Sequence, residues 1–538
     1  MAPRWHRGEL AVVAVVLIVT FLVVVLLVRR PGHWWGDDWA LYVRQAWALT
    51  TGNVDTVIAD NRFTVEQSGP PAFSPPMYPW GFAILLAPFV AVLGTDLDRL
   101  VIAQALFFCW FLAAWYRLAR PRVGPGLAIG GLVVLAASPQ FVRWAELIQS
   151  ELAYMAVSLT ALVVLDRDRV RRALVPSSLA DRASAPWWPP VAMGLLGAAA
   201  FNVRREGLAV MAAIAVTQLV LLARSPGARQ ALWRRSSATG RTRQVDVRLL
   251  ARLAVPYAVA LGTVGVLQIV LPTTLVPGYE GNGLHNVVRF APDHLGHVME
   301  AIGLQPILSG APDVFGSHAL GVAAVALFVG LTVCGVIVAA RFRPVPDLPL
   351  VAFTIGALAI GGSFRVPGSR YVAVIAPMTL LLALLAVRWL SGRFPQRRIV
   401  AGSGLALVTL LAAGNVVEVG GLAADARRFE RDGHVVWGAD APPSLEMFDA
   451  VERLTDPDDV IGFFKPRAMT QRTDRRAIKI DGYRPVDRNL DVITHVVVEH
   501  RPDPAHAVTV DPDRPTELWS NTHFTLHRTH PHPPPPEN

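Results

Sequence analysis

Cysteine is nearly absent from this chain. Only Cys109 and Cys334 occur in 538 residues. Both lie inside apolar runs, so neither a disulfide framework nor a cysteine metal site is indicated. Charge is scarce too: Asp, Glu, Lys and Arg make up 17% of the chain, where a soluble domain carries about 25%. Apolar residues fill the difference, at 53% with a mean hydropathy of +0.40. No basic run is interleaved with aromatics, so the net charge of +9 and pI of 10.1 do not point to nucleic acid. Internal repeats are not visible. The first apolar run, 10–28, lacks a small-residue cleavage site and reads as a retained anchor rather than a signal peptide.

Long apolar runs recur to about Val417, as in a polytopic α-helical membrane protein. Arginines crowd the connections 117–122, 166–172, 224–243, 341–343 and 388–398. The positive-inside rule puts all five in the cytoplasm. Segment 78–94 breaks the alternation, because counting it as a span would turn every later basic loop outward. Its Pro-rich entry suits a juxtamembrane or re-entrant start. About 11 spans follow, with the N-terminus inside and the C-terminus outside. Residues 1–417 are then the transmembrane part and 418–528 a small extracytoplasmic α/β domain. Residues 529–538 form a disordered His/Pro tail. In the α/β domain Ser444 is placed to cap a helix carrying Leu445, Phe448, Val451 and Leu454. Strand-like runs follow at 460–464, 477–480 and 492–498. A turn at Lys465-Pro466-Arg467 offers two possible contacts, Lys465 and Arg467, but fits better as solvated surface.

Two carboxylates stand just past the first span, in Trp34-Trp35-Gly36-Asp37-Asp38-Trp39. Carboxylates near lipid are costly unless solvated or used. Capping the following helix would employ Asp37 alone. It does not require Asp38, nor the tryptophans, which suit membrane interfaces and also stack on sugars. Asp38 and Tyr42 fall on one helical face. Two short outer loops carry arginines against the charge rule: Arg204-Arg205, and Arg365 with Arg370. Single arginines there snorkel to headgroups. Two such loops on the face that carries the acids suit a bound phosphate, for which Arg offers planar, permanently charged donors. Glu146, Ser150 and Glu151 form a second outer acidic cluster, although Glu151 also fits simply as an acid at a helix N-terminus.

The pattern Gly36-Asp37-Asp38-x-x-x-Tyr42 resembles the acidic motif of the GT-C membrane glycosyltransferases, in particular the protein O-mannosyltransferase and aminoarabinose-transferase branch. Pro75-Pro76-x-Tyr78-Pro79, Ser150-Glu151, Arg205-Glu206-Gly207 and Arg370-Tyr371 are similar to further family signatures. The resemblance covers about residues 10–417. Two positions depart from the pattern: Asp38 replaces the usual Glu, and Ser74 replaces the usual His or Lys before Pro75-Pro76. The resemblance implies transfer of a sugar from a polyprenyl-phosphate donor to an acceptor hydroxyl, with inversion, at the outer face of a bacterial cytoplasmic membrane. It makes Asp37 the general base with Asp38 beside it. Arg204, Arg205 and Arg370 would meet the donor phosphate. Tyr42, Tyr78, Glu146, Glu151 and Tyr371 would contact donor or acceptor. The acceptor is a protein, glycolipid or cell-wall glycan. No cofactor and no tightly bound metal are expected, since one or two carboxylates make a thin divalent-metal site. A transporter or flippase of lipid-linked sugars would use the same arginines without chemistry. It would also place polar residues at the membrane midplane, where these spans have almost none.

Overall fold

Hydrophobic length sets the architecture. The structure is a computed structural model and describes residues 6–69, 73–176, 184–232, 234–235, 243–244, 247–275, 281–304, 318–394, 396–480, 491–500 and 516–529. The His/Pro tail beyond 529 lies outside them. Among the described residues, eight helices are long and apolar enough to cross a bilayer. The number is nine if the bent pair Pro125–Ala136 and Pro139–Ala145 is one span. Three shorter apolar helices, Gly81–Leu93, Glu151–Leu165 and Trp188–Val203, accompany them. The expected count of about 11 is not reached on that measure. Thirteen residues in Gly81–Leu93 reach only about 20 Å, short of the ~30 Å hydrocarbon layer.

The two ends of the bundle differ in charge pairing. At one end Arg122 donates to both oxygens of Asp166 (2.8 and 3.0 Å) and to Asp347 (2.9 Å), and Arg343 pairs with Asp347 at 3.1 Å. Three of the Arg-rich connections therefore meet in one buried network, where pairing offsets desolvation. Helix Glu151–Leu165 separates that network from Glu151 by about 22 Å.

The first span runs through Arg7–Leu22 and a π-helical end, Val23–Val28. A short loop then leads to helix Asp38–Thr51. Asp37 occupies the N-cap position without making a side-chain cap bond. Its carboxylate is engaged elsewhere, so capping does not account for it.

The last span is a single 35-residue helix, Arg397–Arg431, which carries the chain through position 418. The sheet-bearing part starts beyond it. Its five strands run in the order Arg476–Lys479, Val460–Phe463, His495–Glu499, Phe524–Arg528, Thr516–Ser520. The first three are parallel to one another and the last two pair antiparallel. Helix Pro442–Leu454 packs on this sheet. Ala441, not Ser444, is its N-cap, and proline opens its first turn. Phe448 and Val451 are buried as expected, whereas Leu445 and Leu454 are exposed.

The loop before Asp37 is bound to this sheet domain. Trp34 forms an antiparallel bridge with Gly438. The Val436 amide donates to the Pro31 carbonyl (2.9 Å), and the His33 amide to Asp440 (3.1 Å). A Cβ at position 438 would lie 1.9 Å from the His33 oxygen, so only glycine permits the approach. Trp35 sits edge-on against Phe463 and Phe464, at 5.7 and 5.1 Å between ring centroids.

Candidate active site

A cavity of about 890 Å³ opens where the Asp38 helix, the Pro-rich loop and the loops bearing Arg204-Arg205 and Arg370 converge. Asp38, Tyr42, Tyr78, Arg204, Arg205, Arg370 and Tyr371 line it. One wall is apolar, built from Ala198, Phe201, Met211, Ala260, Leu261 and Val264 on three helices.

The charged groups form one network. Arg204 and Arg370 both donate to Oε1 of Glu151 at 2.7 Å. Arg204 also donates to Glu206 (2.9 Å) and to the Ser150 hydroxyl (3.3 Å), which lies 3.3 Å from the Tyr42 hydroxyl. Arg370 donates to Oδ2 of Asp38 at 2.8 Å, and the Tyr78 hydroxyl donates to Oδ1 at 2.6 Å. Glu151 is therefore the hub that holds two arginines together, directly behind the cavity wall. Arg205 is held differently. It donates to the Thr273 hydroxyl (2.8 Å) and the Thr274 carbonyl (2.5 Å), and its Nε and Nη1 are buried without a partner.

The two aspartates have different surroundings. Burial pushes the Asp38 carboxyl up, but Arg370 and the Tyr78 hydroxyl outweigh it and hold it at about 2. Burial raises Asp37 above its ordinary value, against the pull of Arg467 and Lys465. Asp37 does not border the cavity. Its Oδ1 accepts the Arg467 amide at 3.1 Å, and its Oδ2 has no hydrogen bond. Glu146 lies apart, paired with Arg30 at 3.4 Å. Arg365 also lies off the wall, its amide donating to Asn282 (2.9 Å). Among the described residues no three His, Cys, Asp or Glu side chains converge as a metal site would need.

No family model and no curated protein matches the sequence. Solved structures do match. The apo crystal structure of ArnT from Cupriavidus metallidurans aligns over 97% of both chains at 12% identity, with a TM-score of 0.56. The same protein bound to undecaprenyl phosphate aligns over 97% of this chain and 98% of that one, at 12% identity and a TM-score of 0.53. The archaeal oligosaccharyltransferase AglB from Archaeoglobus fulgidus, in complex with an inhibitory peptide and a dolichol-phosphate, covers 92% of this chain and 69% of its own. Its identity is 13% and its TM-score 0.50. The chain has the GT-C fold.

Within this GT-C fold, one contributor escaped the sequence. Arg467 reads there as part of a solvated turn, yet it is 4% exposed. It lies in the first turn of helix Pro466–Thr473 of the sheet domain and reaches the Pro-rich loop, donating to Asn61 (2.7 Å) and Ser74 (2.8 Å). Its only sequence signal is its place after a buried strand, which does not say what faces it. Glu206 was visible beside Arg204-Arg205, two residues from the arginine it binds.

Proposed function

We propose that this chain is a glycosyltransferase that moves a sugar from a polyprenyl-phosphate donor to an acceptor hydroxyl, with inversion. The reaction would take place at the outer face of a bacterial cytoplasmic membrane. The observation that carries the reading is the cavity itself, where a carboxylate and three arginines stand at the mouth of an apolar groove. Binding of undecaprenyl phosphate by ArnT and of dolichol-phosphate by AglB, two proteins of similar fold, supports a lipid-linked donor. The Arg-rich connections at the far end of the bundle support a cytoplasmic N-terminus and an extracytoplasmic sheet domain.

In this reading the polyprenyl tail lies along the apolar wall and the phosphate meets Arg205, whose spare N–H groups need an acceptor. Arg370 turns from Asp38 toward the phosphate. Asp38 then loses its strongest counter-charge and gains basicity. The acceptor oxygen bonds to the anomeric carbon as the carbon–phosphate-oxygen bond breaks. That electron pair leaves with the polyprenyl phosphate, and the hydroxyl proton passes to Asp38. Arginine donors stabilise the charge that develops on the leaving phosphate. Asp38, rather than Asp37, takes the base role because it borders the cavity. Asp37 joins the outer domain to the site. Tyr42 and Tyr371 line the sugar's position, and Glu151 aligns the arginines from behind.

The test is release of free polyprenyl phosphate from a panel of polyprenyl-phosphate sugars, with the protein in lipid and crude envelope as acceptor. Wild type should release it, and a folded Asp38→Asn variant should be slower by about 10²–10⁴-fold. Near-normal turnover by Asp38→Asn removes the base assignment. No release by folded wild type from any donor favours a transporter of lipid-linked sugars instead.

A further inference from the structure

Three hydrogen bonds run from the outer domain to Asp38. Arg467 Nη2 lies 2.8 Å from Ser74 Oγ, Ser74 Oγ 3.1 Å from Tyr78 Oη, and Tyr78 Oη 2.6 Å from Asp38 Oδ1. Inventory of donors and acceptors forces their direction. A guanidinium only donates, and an ionised carboxylate only accepts. Tyr78 therefore spends its single proton on Asp38, Ser74 donates to Tyr78 at 3.1 Å in preference to the Pro75 carbonyl at 3.4 Å, and Arg467 supplies Ser74. The Arg467 guanidinium also stacks 4.6 Å over the Tyr78 ring and donates to Asn61 and the Pro75 carbonyl (3.2 Å), while the Arg467 backbone amide donates to Asp37. A chain with a donor-only group at one end and an acceptor-only group at the other cannot invert.

We infer that Arg467 is a positioning residue for the reaction, which fixes this chain and so leaves Oδ2 of Asp38 as the oxygen that receives the acceptor proton. Oδ1 is permanently occupied by Tyr78. Among the described residues Oδ2 is held by Arg370 alone, and Arg370 also lines the cavity proposed for the donor phosphate. The outer domain is thus part of the reacting centre and not a separate acceptor-binding module. The inference rests on the glycosyltransferase reading above for the identity of the proton, and on the geometry alone for the chain.

The experiment compares Arg467→Lys, Ser74→Ala, Tyr78→Phe and the Ser74→Ala/Tyr78→Phe double variant, all full-length and reconstituted. Polyprenyl-phosphate release and melting temperature are both read. Arg467→Lys keeps the charge but loses the fork, and should lower kcat by about 10²-fold, the scale of a small misplacement of a reacting group. Ser74→Ala changes little volume and should lower kcat by about 3- to 10-fold, the worth of one hydrogen bond. Donor KM should stay within about twofold in both, because the loss is not in donor binding. The double variant should be no slower than Tyr78→Phe alone, because both break one chain. Losses that multiply in the double variant, or a rise in KM with kcat unchanged, overturn the inference. If folded wild type releases nothing, the glycosyltransferase reading fails, and the melting temperatures decide the chain. Coupled shifts for Ser74→Ala and Tyr78→Phe in their double variant sustain it, and additive shifts overturn it.

Discussion

Arg205 is the cavity arginine that no carboxylate binds. Arg204 and Arg370 direct their N–H groups to Glu151, Glu206 and Asp38, whereas Arg205 keeps two buried donors unused. The sequence singled out all three arginines because they violate the charge rule, but it could not rank them. Partner geometry ranks them. Glu146 shows the same limit from the other side. It was a candidate contact by its outer position, yet it pairs with Arg30 away from the cavity, and burial lifts its carboxyl to about 7 against that arginine's pull. An acid whose pKa is raised by folding disfavours the fold when it is ionised. Wild type is therefore penalised above about pH 7, and the penalty fades as pH falls toward the ordinary value of 4.5. Glu146→Gln should melt higher than wild type above pH 7 and match it below about pH 4.5, in scans of the detergent-solubilised protein from pH 4 to 8. A difference that does not vary with pH would refute the assignment.

At the scale of elements, close backbone approaches place the arginine loops. Helix Gly81–Leu93 begins against the end of helix Trp188–Val203. A Cβ at Gly81 would lie 2.4 to 2.6 Å from the backbone of Asn202 and Val203, next to Arg204. Backbone cannot yield as a side chain does, so Gly81→Ala should cost about 1–3 kcal/mol of stability, read as a lower melting temperature. An unchanged melting temperature would show that the two helices slide freely. Elements with apolar runs were legible in the sequence, as Val460–Phe463 and Arg476–Lys479 show. The hairpin Thr516–Ser520 and Phe524–Arg528 was not. Its edge strand, Thr-Glu-Leu-Trp-Ser, is mostly solvated, so it has no buried face to impose an apolar alternation. Helix Pro466–Thr473 was missed for a related reason: it is short and mostly polar, and its buried Ala468 and Met469 are too few to show a helical period beside its hydrogen bonds and ion pair.

Taken as a whole molecule, membrane bundle and outer domain are held together through the loop that bears the acids. Trp35 enters the outer domain's aromatic cluster, with Phe448 and Phe524 as well as Phe463 and Phe464 within 6.4 Å. Arg44 crosses the same boundary, donating to Asp60 (2.7 Å), to Asp474 (3.0 Å) and to the Thr470 carbonyl (3.0 Å). Trp35→Ala should loosen the outer domain by up to about 3 kcal/mol. Limited proteolysis should then cut after Arg431 earlier than in wild type, while the spans stay protected. Equal cleavage rates would mean that the polar contacts alone hold the domain.

Local sequence pattern by itself determined the membrane class and the presence of a small C-terminal α/β domain. Each of these is local: a helix in lipid satisfies its own backbone within one run. That Asp38 and not Asp37 borders the cavity, that Arg205 keeps spare donors and that Arg467 reaches the Pro-rich loop were decided only by tertiary structure. Arg467 and Ser74 are 393 positions apart in the chain. No local pattern records such a meeting, because what burial does to a charge depends on which distant partners arrive with it.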